Sequence, residues 1–151
     1  MNLSSPAFEH NKAIPSLYTC DGKNISLPLT IKGVPKTARS LVLIMQDPDV
    51  PRTIRKDGIW DHWIVWNIPP HTTSLQEGAT PPGTEGKNTG GSIGYQGPCP
   101  PDKQHRYCFT LYALDTLLNL KQGAAQQDVQ QAMKSRIIER AELIGLYERK
   151  K

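Results

Sequence analysis

No Cys-x-x-Cys pair occurs in the sequence, and its three cysteines, Cys20, Cys99 and Cys108, are an odd number. At least one thiol is therefore free within a monomer. Neither a disulfide framework nor a cysteine-based zinc knuckle is expected, although there is room for one bridge. Long apolar runs are missing as well. The longest plain aliphatic stretch, Leu41 to Met45, is far too short to cross a bilayer, and Met1 to Phe8 lacks a basic start followed by an apolar core. These absences point to a cytoplasmic chain with no transmembrane segment. Four sequence signatures of chemistry are also lacking. There is no Gly-x-Ser-x-Gly nucleophile elbow and no His-Glu-x-x-His zinc helix. Gly86-Lys87 is followed by Asn88, and the glycine that a phosphate loop needs five residues before Gly86 is Pro81. Gly91, Gly94 and Gly97 do not form Gly-x-Gly-x-x-Gly, so a nucleotide-processing enzyme is set aside.

An excess of charge is likewise less than it first looks. The formal net charge is +4, but Arg149, Lys150 and Lys151 supply three of those charges, which leaves the body nearly neutral. A basic groove for nucleic acid is not implied, and there is too little helix for a helix-turn-helix.

What the chain does have, in 151 residues, is 12 glycines and 13 prolines scattered between apolar runs. Such punctuation suits short strands joined by turns, in a single domain over residues 1–151. Residues 25–32 alternate, with Pro28 demoting them to an edge or bulged strand. Residues 39–46 are a continuous aliphatic run, as expected of a strand buried on both faces. Residues 59–68 and 106–114 are aromatic and β-branched. Between them, residues 69–104 form a long Gly/Pro-rich stretch of the kind that is often functional. Val129, Met133, Ile137 and Ile138 recur at helical spacing and predict a helix over 126–138, while 142–147 suits either its continuation or a last strand. The fold class is mainly β with a small C-terminal helical element.

Three segments carry candidate chemistry. Asp47-Pro48-Asp49-Val50-Pro51 brings two carboxylates to the end of the most hydrophobic strand, where each proline stiffens the residue before it. His62 opens a strand in which alternation groups it with Ile64, Trp66 and Ile68, opposite Asp61, Trp63, Val65 and Asn67. His105 opens another, aligned with Tyr107, Phe109 and Leu111, just after a loop whose Gly94 and Gly97 permit close backbone approach. Each feature taken singly has a structural explanation: a turn aspartate, or a core histidine bonded to backbone. Their coincidence favours a pocket in which His62 and His105, made cationic by a nearby carboxylate, hold a phosphate or carboxylate group, with Trp60, Trp66 or Tyr107 as aromatic walls.

The segments Asp47 to Pro51, Trp60-Asp61-His62-Trp63, and Gly97-Pro98-Cys99-Pro100-Pro101 followed by His105-Arg106-Tyr107 resemble the phosphatidylethanolamine-binding protein family, which includes the Raf-kinase-inhibitor proteins. Tyr18-Thr19-Cys20-Asp21-Gly22 and Ala141-Glu142-Leu143-Ile144-Gly145 are similar to its bacterial and archaeal branch. The resemblance implies a Greek-key β-sandwich with a small anion pocket at one end of the strands. Asp47, His62, Pro101, His105 and Tyr107 would line that pocket, with Trp60 beside it, Gly97 offering backbone contact and Asp49 supporting the loop. It also implies non-enzymatic binding of phosphate-bearing or other anionic ligands without a cofactor or bound metal, regulation of a kinase or other protein partner, and a homodimer of the kind common among bacterial members. The sequence departs from the animal pattern at Asp61, where a second histidine is usual, and at Lys103, where glycine is usual. Two other classes compete: a hydrolase using His62, His105 and Asp47 with a metal or by acid–base chemistry, and an interaction module acting through its surface.

Overall fold

The computed structural model describes residues 1–150. In chain order the elements are β1 (Asn2–Ser4), β2 (Lys12–Ala13), a short 3-10 turn (Ser16–Tyr18), β3 (Leu29–Lys32), β4 (Ser40–Asp47), β5 (Trp60–Ile68), β6 (Ser74–Leu75), β7 (Thr84–Glu85), β8 (His105–Leu114), α1 (Gln126–Met133) and β9 (Ile137–Tyr147). They form a large sheet in the order β2-β9-β8-β4-β5-β7 and a small sheet in the order β1-β3-β6. All neighbours are antiparallel except β2 and β9.

The aliphatic run of β4 occupies the middle of the large sheet between β5 and β8, and every residue except Gln46 is buried. Its two faces serve two cores. Leu41, Leu43 and Met45 meet Leu3, Leu29, Ile31 and Leu75 of the small sheet, so the two sheets close as a sandwich. Val42 and Ile44 face the other way, where Ile64, Trp66, Leu118, Val129 and Met133 complete a second core under α1. Complete burial of such side chains is worth about 1.5–3 kcal/mol each, which explains why this run shows no polar alternation.

Several sequence expectations are corrected. The strand at 25–32 shortens to Leu29–Lys32. Pro28 has no N–H for a ladder, and its carbonyl accepts from Ser5 Oγ at 2.6 Å. The helix expected over 126–138 stops at Met133. Ser135 takes a φ of 68°, the chain reverses, and Ile137 and Ile138 open β9 as exposed strand residues. Of the two readings for 142–147, the strand is the one found.

The facing of β5 also differs from simple alternation. Its register against β4 slips between Met45 and Gln46, leaving His62 as an extra residue between the Trp63 and Asp61 pairings. A bulge of this kind re-aims a side chain. His62 consequently leaves the Ile64/Trp66 face and packs edge-on against Tyr107 of the sandwich core, with ring centroids 5.3 Å apart. A second slip, at Leu41/Leu43, accompanies a φ of 55° at Asn67 and turns Ile68 into the sandwich core too. The Asn67 side chain binds the Leu118 backbone in both directions, at 2.9 and 2.8 Å, which pins the chain leading to α1. On β8 the expected alternation of Tyr107, Phe109 and Leu111 into the sandwich core is found.

Candidate functional site

At the ends of β4, β5 and β8 the sandwich opens into a cavity of about 240 Å³. Asp47, Trp60, His62, Gly97, Pro101, His105 and Tyr107 all border it, together with Val50, Ile54, Gln96, Cys99 and Pro100. Asp49 lies behind this wall. Its carboxylate accepts the Arg106 backbone N–H at 2.8 Å and the Arg106 guanidinium at 3.0 and 2.8 Å, and so ties the turn after β4 to the start of β8. The hydrogen bond from Arg106 lowers the pKa of Asp49.

His105 is held from both sides. Its Nδ1 lies 2.6 Å from Asp47 Oδ2, and its Nε2 lies 2.6 Å from Asp102 Oδ1. Carboxylates only accept, so both nitrogens carry protons and the ring is an imidazolium. Burial opposes that charge, but the hydrogen bonds to Asp47 and Asp102 outweigh it and raise the ring's pKa above the usual imidazole value. Asp47 is fixed in turn by the Asp49 N–H, which donates to its other oxygen at 2.8 Å. Asp102, at the rim, is acidified by its hydrogen bond to His105.

His62 has a different environment. Its Nδ1 is 2.6 Å from the Gln96 carbonyl oxygen, an acceptor, so the proton sits on Nδ1 and Nε2 keeps its lone pair. Burial lowers the ring's pKa more than the Gln96 bond raises it. The neutral form is favoured. This corrects the expectation that both histidines would be cationic: the charge belongs to His105.

Gln96 is the residue that ties this half together. Its N–H donates to the His62 carbonyl at 2.9 Å, and its side-chain oxygen accepts from Trp60 Nε1 at 2.8 Å. Next to it, Gly97 does not offer its N–H to the cavity, since that group donates to Asn24 Oδ1 at 2.9 Å. A Cβ at Gly97 would collide with Asn24 Oδ1 and the Tyr18 carbonyl oxygen, so the close approach for which glycine is needed is to the chain itself. Tyr95 Oη donates to the Tyr18 carbonyl at 2.7 Å, the Cys20 N–H donates to the Pro98 carbonyl at 3.1 Å, and a Cys20–Cys99 disulfide closes the same seam. The bridge takes up the room the sequence left for one, and Cys108 is the free thiol.

Tyr107 completes the floor. Its hydroxyl is buried near the Asp47 carboxylate but makes no hydrogen bond of ordinary length. Burial, and next the Asp47 charge, raise its pKa, so it remains a protonated donor. Gln96 and Asp102 were not singled out from the sequence. Each sits in an irregular segment where periodicity says nothing, although the Asp102-x-x-His105 spacing placed a carboxylate close to a candidate histidine.

Fold and site together describe a two-sheet β-sandwich with a histidine–aspartate pocket at one end of its strands. The family model for phosphatidylethanolamine-binding protein matches residues 4–148, and the chain belongs to that family. It is 52% identical over 149 residues to a UPF0098 protein of Chlamydia pneumoniae, and 50% identical over 155 residues to one of Methanothermobacter thermautotrophicus, with 99% of each chain covered in both cases. Among solved structures, it is similar to the phosphatidylethanolamine-binding protein homolog CT736 of Chlamydia trachomatis, with a TM-score of 0.96 and 48% identity, covering 99% of this chain and 97% of that one. It is also similar to YbcL of E. coli, described as a new member of the mammalian family, with a TM-score of 0.88 and 30% identity, covering 99% and 98%.

Proposed function

We propose that the cavity is a binding site for a small anionic group, a phosphate ester or a carboxylate, held without turnover by His105 and Tyr107. The observation that carries this reading is the buried Tyr107 hydroxyl, a protonated donor without a partner beside a cationic ring. A buried unpaired donor costs about 1–3 kcal/mol, and an oxygen acceptor supplied by a ligand would remove that cost. The walls from Val50, Ile54, Trp60 and Pro101 suit a ligand whose anionic end is small and whose remainder is a short alkyl or cationic part that the Trp60 ring can receive, such as a phosphoethanolamine-like head group.

A hydrolase is less well supported. With both nitrogens of His105 bonded to carboxylates, its ring has no lone pair for a metal or for taking up a proton from water. A single domain spanning residues 1–151, a cytoplasmic location, a regulatory protein partner such as a kinase, and a homodimer complete the reading. Among the described residues no helix is long and apolar enough to cross a membrane.

The test is an NMR titration of the protein with phosphoethanolamine, following the ring signals of His62 and His105 and the Tyr107 hydroxyl. Saturable shifts of the His105 and Tyr107 signals are expected. No shift at millimolar ligand would count decisively against the reading.

A further inference from the structure

Asp102 and Asp47 bind the same ring in different ways. Asp47 is buried with its histidine, its side chain 4% exposed, and is anchored by the Asp49 N–H. Asp102 comes from the loop that follows the Cys20–Cys99 bridge. Its side chain is 42% exposed, and among the described residues its one side-chain partner is His105. It thus occupies the Nε2–H of an otherwise buried imidazolium with a half-exposed carboxylate that follows Pro101 of the cavity wall. That N–H is the charge-assisted donor that an incoming anion would need.

Beside Asp102 there is also somewhere for its carboxylate to go. A second cleft, of about 190 Å³, adjoins the first across Pro100 and Pro101 and is bordered by Asp102, Lys103, Glu148, Arg149 and Lys150. Arg149 is already paired with Asp21, so Lys103 and Lys150 are the cations left to receive a displaced carboxylate.

We propose that Asp102 is an internal occupant of the anion site and sets its affinity and selectivity: a ligand binds by taking the place of the Asp102 carboxylate at His105 Nε2, and Asp102 turns into the neighbouring lysine-bordered cleft. This inference rests on the reading of the cavity as an anion site. Its consequence is that the free protein is autoinhibited toward weak anions, and that only a group able to outcompete an intramolecular carboxylate, by also engaging Tyr107, binds well.

The experiment is a titration of the wild-type chain, Asp102→Ala and Asp102→Asn with acetate and, separately, with inorganic phosphate, followed through the His105 Nε2–H and Tyr107 signals. Asp102 is half-exposed, so both variants are expected to fold. Asn keeps the shape but removes the charge. Binding about tenfold tighter in both variants, for either anion, is the expected result, because a charge-assisted hydrogen bond no longer has to be exchanged. Affinity unchanged or weakened in the variants, with the anion still at His105, would overturn the displacement while leaving the anion site in place. If neither anion shifts His105 or Tyr107 in any of the three proteins, both the anion site and its internal occupant are overturned.

Discussion

The two halves of the pocket are built alike and behave oppositely. His62 and His105 each sit near the start of a long strand, each is buried, and each directs Nδ1 to an oxygen 2.6 Å away. For His62 that oxygen is a carbonyl, for His105 a carboxylate, and His105 meets a second carboxylate at Nε2. Burial then decides the protonation of His62, whereas the carboxylates decide that of His105. The comparison shows that burial sets a histidine's charge only where no carboxylate meets the ring; where carboxylates do, they overcome it.

The comparison can be broken from either side. The largest effect is expected from Asp47→Asn, which strips the buried imidazolium of its anchored partner. Chemical denaturation should show a loss of about 3 kcal/mol, and the His105 pKa should fall toward the ordinary imidazole value while His62 keeps its Nδ1–H tautomer. A smaller effect is expected from Gly97→Ala. Its Cβ would push the Gln96–Gly97 segment off the Tyr18–Asn24 chain, at a cost of about 2 kcal/mol, and the His62 Nδ1–H signal should broaden or disappear while His105 is unaffected. Matched losses of signal at both rings in either variant would show that the halves are not separable.

Smallest of all is the pH effect, and its sign differs between the halves. His105 has a raised pKa in the folded protein. Its stabilising contribution is complete below the unfolded value of about 6.5 and is lost as pH rises through the folded value. His62 has a lowered pKa. Its contribution is present above the unfolded value and is lost as pH falls through the folded value. A His62→Gln variant should therefore lose less stability than the wild type as pH falls below about 6.5, measured as the urea midpoint against pH. Parallel curves for the two proteins would remove His62 from the acid limb.

Much of the scaffold of this site is legible in the sequence because long apolar runs leave the chain few choices. The expectations for 39–46, 59–68 and 106–114 fall within a residue of β4, β5 and β8 at each end. The strands of two or three residues, β1, β2, β6 and β7, are too short to show a period and exist only because a neighbour pairs with them. The end of α1 was hidden for a related reason: Ile137 and Ile138 continue the 3.6-residue pattern, and only the positive φ at Ser135 interrupts it. At the site, alternation aligned His105 with Tyr107 correctly but grouped His62 with Ile64 and Trp66, since a one-residue bulge leaves no mark in composition. The charge of each ring was further out of reach. It depends on Gln96 and Asp102, which sit in irregular segments, and on whether each offers a carbonyl or a carboxylate.

That difference in charge can be measured without any ligand. In a titration of the free wild-type protein followed by 15N-detected NMR of the two rings, His105 should carry protons on both nitrogens and titrate above the ordinary imidazole value. His62 should carry a proton on Nδ1 alone and titrate below it. Two rings titrating together, or His62 proving the more basic, would contradict the account.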